Sequence, residues 1–304
     1  MGILGKWLES LDYEYQILSS CTRHLSPRST CHKCVNACNE KAISLEKGKP
    51  VLERSKCTEC GNCISACPVQ AIAGIYPKRK IVQNQLVIKE DSIPTVKELL
   101  IFYQKGIKTI VAETQVLLES WKPSIDEANG ILQILGEGPF LVETKSIAAE
   151  TYVSRRELFF LWKREGKSAL KEIAPAKWQF NHQDIDLAKY YRDVQFTKIK
   201  LNRGKCTLCH VCQRLCVKKC FAIHEERFVL SSQGCENCQL CVDTCPEKAL
   251  DVEDCISKVE ETSLPIYKKI CSRCHNPFQT LREYDEKCVV CTKQERMSKL
   301  LKRV

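Results

Sequence analysis

The chain has no stretch approaching 18 uncharged apolar residues, and its opening residues carry no apolar run of the secretory-signal kind. Met1-Gly2-Ile3-Leu4-Gly5-Lys6-Trp7 places lysine where a myristoylation signal needs serine or threonine. The twin arginine Arg155-Arg156 lies mid-chain. These absences set the expectation of a cytoplasmic protein with no transmembrane span. Nucleotide chemistry also lacks its loop. Gly136-Glu137-Gly138-Pro139 reads as a turn after a helix, whereas a phosphate-binding glycine loop leaves a strand. No nucleophile triad or paired acid/base carboxylates stand out, and the C-x3-C-x2-C loop of radical enzymes that use S-adenosylmethionine is missing. Finally, no cysteine lies between Cys67 and Cys206, which confines any thiolate chemistry to the two ends.

At those ends thiols are dense. The 304 residues include 22 cysteines, and 47 Lys+Arg face 37 Asp+Glu for a formal charge of +10. In a reducing compartment so many thiols read as metal ligands rather than disulfides. Cys57-x2-Cys60-x2-Cys63-x3-Cys67-Pro68 and Cys235-x2-Cys238-x2-Cys241-x3-Cys245-Pro246 share the spacing by which three thiolates on one tight loop hold three corners of an iron–sulfur cube. Cys206-x2-Cys209-x2-Cys212-x3-Cys216 is a third copy, with Val217 replacing proline. Adding 178 to Cys31, Cys34, Cys38, Cys57, Cys60, Cys63 and Cys67 lands on Cys209, Cys212, Cys216, Cys235, Cys238, Cys241 and Cys245, so one module occurs twice.

One position breaks the repeat. The counterpart of Cys206 is Arg28, and the nearest spare thiol is Cys21. Cys21 is taken as a displaced first ligand on a longer loop. The alternatives are a three-iron cluster, ligation by His24 or His32, or an empty site.

Residues 21–80 and 200–258 resemble the bacterial ferredoxin family with two [4Fe–4S] clusters, a likeness that extends in the first copy to Lys41-Ala42-Ile43 and Gln70-Ala71-Ile72. The resemblance implies crossed ligation, in which each fourth cysteine serves the neighbouring cube. Cluster one then takes Cys21, Cys31, Cys34 and Cys67, and cluster two takes Cys57, Cys60, Cys63 and Cys38. Cluster three takes Cys206, Cys209, Cys212 and Cys245, and cluster four takes Cys235, Cys238, Cys241 and Cys216. Cys220 stands where the other runs have Ala42, Ala71 and Ala249, and with Cys255 it is expected to be a packed thiol.

Residues 264–304 carry a different pattern. Cys271-Ser272-Arg273-Cys274 and Cys288-Val289-Val290-Cys291 are two knuckles thirteen residues apart, suited to one tetrahedral four-thiolate zinc. They resemble a zinc ribbon, and less closely rubredoxin, which makes iron the alternative metal. The basic helix expected from Lys293 to Arg303 keeps nucleic-acid binding in view. Metal charge argues against it. A cube with four thiolates carries about −2, as does a four-thiolate zinc, so the loaded chain is close to neutral.

Between the modules, residues 81–150 alternate strand and helix signals. Leu86-Val87-Ile88, Lys108-Thr109-Ile110-Val111-Ala112 and Phe140-Leu141-Val142 read as strands. A helix opens at Pro94, and Ser124-Ile125-Asp126-Glu127 reads as a capping box for a second one running to Leu135. A small parallel α/β domain is expected. Ser154-Arg155-Arg156-Glu157 reads as the cap of a helix in a linker over 151–199. Residues 1–20, with Ile3, Leu4, Trp7, Leu8, Leu11, Tyr15 and Leu18 at helical spacing, read as an amphipathic helix.

The fold class is therefore α+β. It comprises two dicluster ferredoxin-like modules, a parallel α/β insert and a zinc-ribbon-like tail. The resemblance implies an electron-transfer protein or subunit similar to the iron–sulfur subunits of molybdenum or tungsten oxidoreductases such as formate dehydrogenases. Such a chain carries four [4Fe–4S] clusters and is not catalytic alone. Its expected partners are a catalytic subunit and an electron carrier, in a hetero-oligomer. The alternative is a maturation or redox-sensing protein that uses clusters and zinc structurally.

Overall fold

The structure, a computed structural model, describes residues 15–74, 79–88, 93–145 and 182–301. The chain divides into two compact units, Met1–Cys21 with His32–Tyr190, and Thr22–Cys31 with Tyr191–Val304.

In the first unit, strand β1 (Gln16–Ile17) pairs antiparallel with β4 (Ile72–Ala73), and β2 (Ile43–Glu46) forms a hairpin with β3 (Lys49–Leu52). Lys47 and Gly48 turn that hairpin with φ of 48° and 79°, the doubly left-handed turn that matches strand twist. Tyr15 and Leu18 therefore flank a strand and not a helix: Leu18 N–H bonds to Ala71 O at 2.8 Å, extending the β1–β4 ladder. That sheet pairing overrides the helical spacing of the apolar residues. The rest of the expected N-terminal helix, and the Ser154 cap, lie outside the described residues.

The inserted part of this unit is a four-stranded sheet in the order β5 (Lys80–Val82), β6 (Gln85–Val87), β7 (Thr109–Ala112), β8 (Leu141–Thr144). β6, β7 and β8 run parallel, and β5 adds an antiparallel edge. Helix α4 (Val96–Gln104) starts at a capping box: Thr95 Oγ1 accepts the Glu98 N–H while the Glu98 carboxylate accepts the Thr95 N–H. Pro94 stands just before this cap.

Helix α5 spans Gln115–Ile134, capped by Thr114, whose hydroxyl accepts the Leu117 N–H at 3.4 Å. It starts about ten residues earlier than the Ser124 signal suggested, and Ser124 lies inside it. Pro123 is on the exposed side of the helix, where water can solvate the carbonyl that a proline cannot bond, so the helix runs through it. Leu86, Ile88, Leu99, Leu100, Ile101, Phe102, Ile110, Trp121 and Leu132 form the core of the insert, all fully buried.

The second unit repeats the first stretch with longer strands. β9 (Val194–Leu201) pairs antiparallel with β12 (Leu250–Lys258), and β10 (Phe221–Ile223), β11 (Arg227–Ser231) and β13 (Glu261–Pro265) form a three-stranded sheet. Its core joins Ile199, Phe221, Phe228, Leu230, Leu250, Val252 and Leu264 to the buried thiols Cys220 and Cys241. The tail is a hairpin, β14 (Tyr267–Ile270) with β15 (Pro277–Thr280), followed by helix α9 (Val289–Leu301). The shorter helices are α1 (Thr22–Leu25), α2 (Lys33–Asn36), α3 (Asn62–Ala66), α6 (Leu187–Tyr190), α7 (Val211–Leu215) and α8 (Leu240–Thr244).

Candidate iron–sulfur and metal centres

Each fourth cysteine stands in the same local setting. Lys41, Gln70, Lys219 and Lys248, three residues after Cys38, Cys67, Cys216 and Cys245, all adopt left-handed φ between 48° and 56°. That turn brings the next amide back onto the sulfur. Ala42, Ala71, Cys220 and Ala249 donate N–H to the preceding Sγ at 3.2, 3.2, 3.4 and 3.3 Å. Amide donors of this kind offset negative charge on a ligand sulfur.

The loops that carry the triple spacings also share geometry. Glu59 and Gly61, Leu208 and His210, and Asn237 and Gln239 flank Cys60, Cys209 and Cys238 with positive φ. The loop around Cys31 departs from this, since His32 has φ of −140°.

These loops place the sulfurs together. Cys38, Cys57, Cys60 and Cys63 line one pocket, closed on one side by Tyr15, whose hydroxyl donates to Glu59 O at 2.9 Å. Cys206, Cys209, Cys212 and Cys245 line another, walled by Leu201, Ile223, Phe228 and Leu250. Burial, then the facing sulfurs of Cys60, Cys34, Cys57 and Cys38, push the Cys63 thiol up. Burial, then Cys206, with Cys209 and Cys245 adding to it, pushes Cys212 up to about 12. Burial raises Cys241 as well, with Cys238, Cys235 and Cys216 adding to it. Thiols crowded and buried in this way resist ionising together unless a cationic core joins them, so the donor sets suit iron–sulfur cubes.

Burial raises Cys67, and the Cys21 sulfur adds to the effect. Segment Thr22–Cys31 packs within the second unit, where Thr30 N–H and Oγ1 both donate to the Asp243 carboxylate, at 2.7 Å and 3.0 Å to the same oxygen. Cys31 is among the sulfurs that raise Cys238 to about 11, after burial and Cys235 and Cys216.

The insert braces the Cys57–Cys67 loop through a buried ion pair that the sequence did not reveal. Arg79 donates to both Glu98 oxygens, at 2.6 and 3.0 Å, and to Asn62 Oδ1 at 3.3 Å; its guanidinium lies 5.7 Å from the centre of the Trp121 ring. Asn62 opens the short helix that carries Cys63. Gln70, beyond Cys67, donates to Ile185 O at 2.8 Å.

In the tail, Cys271, Cys274, Cys288 and Cys291 bring their sulfurs within 4.8 Å of one another. The β14–β15 hairpin presents the first pair, with His275 in a left-handed turn, and the start of α9 supplies Cys291. Cys274 and Cys288 sulfurs lie 3.9 Å apart, against about 3.8 Å expected across a tetrahedron with ~2.3 Å zinc–sulfur bonds. Cys220 lies buried against Cys216 and Cys235, while Cys255 is half-buried near Ser257. Among the described residues no helix is long and apolar enough to cross a membrane.

Comparison with known proteins agrees with this chemistry. Residues 29–71 match the family model of the 4Fe-4S dicluster domain. A ferredoxin of Pyrobaculum islandicum is 31% identical over 94 residues, which make up 31% of this chain and 74% of that protein. The chain belongs to the ferredoxin family. NADH-quinone oxidoreductase subunit I 2 of Geobacter metallireducens is 27% identical over 88 residues, 26% of this chain and 67% of that protein. This ferredoxin is thus an iron–sulfur electron-transfer protein of the [4Fe–4S] kind.

Proposed function

We propose that this ferredoxin carries four [4Fe–4S] clusters and one structural zinc, and serves as a subunit that relays single electrons between a redox enzyme and a carrier. The observation that carries the reading is the fourfold repeat of one cradle, with a left-handed residue three after each fourth cysteine and an amide donated back to its sulfur. The ligand sets are Cys21, Cys31, Cys34 and Cys67; Cys57, Cys60, Cys63 and Cys38; Cys206, Cys209, Cys212 and Cys245; and Cys235, Cys238, Cys241 and Cys216. Bound there, a cube accepts and returns one electron. The chain's part is to hold it by four thiolates, leave no iron open to substrate, and shield it from water with Tyr15, Phe228 and the strands behind them.

Strand register supports Cys21 as the missing ligand. Ile17 pairs with Ile72, as Leu201 pairs with Leu250, and Leu18 N–H bonds Ala71 O as Asn202 N–H bonds Ala249 O. Measured from these equivalent strand ends, Cys21 is three residues after Leu18 and Cys206 four after Asn202. Cys21 therefore keeps its place by the strand, and the extra residues fall between the first and second ligands. In the tail, a zinc with four protein thiolates has no open position, which suits a folding role.

Kinship to a subunit of an NADH-quinone oxidoreductase supports the subunit role. The test is anaerobic purification of the full chain from native cells, with iron and zinc counted and the clusters titrated. Reversible one-electron reduction of four clusters, and electron uptake from the enzyme that accompanies the chain, is the expected result. Clusters needed for folding but never reduced by that enzyme would favour a structural or sensing role instead. Cys21→Ser should remove one cluster's iron and one reduced-state electron resonance signal. Unchanged iron would show that Cys21 is not a ligand.

A further inference from the structure

Electrons pass between proteins only over short distances, so exchange favours a cube whose ligands reach the surface. Of the thiols in the four ligand sets, all among the described residues, Cys209 alone is exposed; the others are buried or half-buried. It lies in the loop Cys206–Cys212, which lines one pocket together with Cys245. The charge beside that pocket is of one sign. From Asn202 to His224 the chain has no Asp or Glu. Arg203 and Lys205 sit on a turn in which the Lys205 and Cys206 N–H groups both donate to Asn202 O at 3.1 Å. Arg214 follows Cys212 on α7, and Lys248 follows Cys245. All four side chains are exposed, and among the described residues none of them is ion-paired. Each stands within three residues of a cluster-three ligand, at most about 11 Å of chain. Glu247, the one carboxylate lining the pocket, is bonded to Lys293. The neighbouring run from Cys235 to Cys245 reverses the sign, with Glu236 and Asp243 and no basic residue.

We propose that the face around Cys209 is the port through which the chain exchanges electrons with a one-electron carrier protein whose docking surface is acidic. The proposal rests on the four-cluster reading. One electron crosses and no atom does: the reduced cube gives it up and the carrier's oxidised redox centre gains it, or the reverse. Arg203, Lys205, Arg214 and Lys248 attract and orient the acidic partner, which raises the rate of productive encounter more than the strength of the final complex. A basic rim that only offset the charge of the cube would act on its potential and treat every partner alike.

The experiment mixes the full chain, reduced anaerobically, with an anionic oxidant, tris(oxalato)cobaltate(III), or a cationic one, hexaamminecobalt(III), and follows cluster absorbance by stopped flow at low ionic strength. Each cobalt(III) takes one electron and becomes cobalt(II). Arg203→Gln with Lys205→Gln should slow the anionic oxidant about fivefold and speed the cationic one, both differences fading at high salt. Lys205→Gln and Arg214→Gln alone should act in the same directions, by about twofold. Lys122→Gln with Lys145→Gln removes the same charge from the first unit and should leave both rates near wild type. Oxidised flavodoxin, an acidic one-electron carrier, should follow the anionic oxidant in every variant. Unchanged rates in the rim variants, or equal shifts in the rim and control pairs, would overturn the port. A rise with both oxidants would show tuning of the potential alone and overturn it too, and indifference of flavodoxin to the rim would overturn the acidic partner. Cys209→Ser should remove the iron of one cube; unchanged iron there would overturn the four-cluster reading, and this proposal with it.

Discussion

The two cysteine-rich stretches carry the same seven cysteines at a constant offset, yet they are stabilised by different means. In the second, β9 and β12 pair from Leu201 with Leu250 to Val194 with Lys258, and Phe221 and Phe228 pack behind the ligand loops. In the first, the equivalent strands β1 and β4 pair only through Gln16 with Ala73 and Ile17 with Ile72. Support there comes from residues beyond the stretch: Glu98 binds Arg79, which also reaches Asn62, and the Ile185 carbonyl accepts from Gln70. A ligand cradle thus needs rigid backing, and either a long ladder or a docked insert can provide it.

Removing the metals should expose that difference most strongly. With iron chelated anaerobically, the first stretch loses the sulfur-bridged links that join its short strands. Its amides should lose protection by about 100-fold or more in hydrogen exchange, while Val194–Leu201 and Leu250–Lys258 retain measurable protection. Equal loss in both would mean that the longer ladder contributes nothing of its own.

A smaller effect should follow from breaking the brace. Arg79→Met leaves Glu98, fully buried, without its principal cationic partner, a change that costs about 3–5 kcal/mol. Denaturant unfolding should show the loss, and hydrogen exchange should localise the loosening to Asn62–Ala66 and α4. Replacing both members, as Arg79→Met with Glu98→Leu, should recover most of it. A single variant as stable as the wild type would remove the brace from the comparison.

The smallest expected effect concerns the loop that most separates the two stretches. Thr30→Val removes the hydroxyl donor to Asp243 and keeps the backbone one, at a cost of about 1 kcal/mol. Exchange within Thr22–Cys31 should quicken about fivefold with the cluster content unchanged. No change there would show that the backbone bond alone holds the segment.

Legibility in the sequence followed the same division. Thiolate ligation demands one side-chain type at short fixed spacings, so the cysteine runs, the 178-residue repeat and the tail knuckles could be read directly. The parallel strands near Leu86, Ile110 and Val142 were also legible, as apolar runs between helices. Cues that a later contact could override were read differently. Ser124-Ile125-Asp126-Glu127 resembles a capping box, but Thr114 caps the helix ten residues earlier. Tyr15 and Leu18 fitted a helical face, but pairing with Ile72–Ala73 draws them into a sheet. Arg79 and Glu98 gave no signal at all, since nineteen residues separate the two charges and only the fold buries them together.

By itself, then, the sequence determined the chemistry of the sites: which atoms can bind metal, how many such runs exist, and that one run lacks its first cysteine at the repeat position. Tertiary structure decided what braces each loop, and that Cys220 is buried in the place that Ala42, Ala71 and Ala249 hold in the other copies. The reason is physical. Ligand identity and short spacing are local properties of the chain, whereas register, burial and the approach of one sulfur to another arise only when distant strands pair.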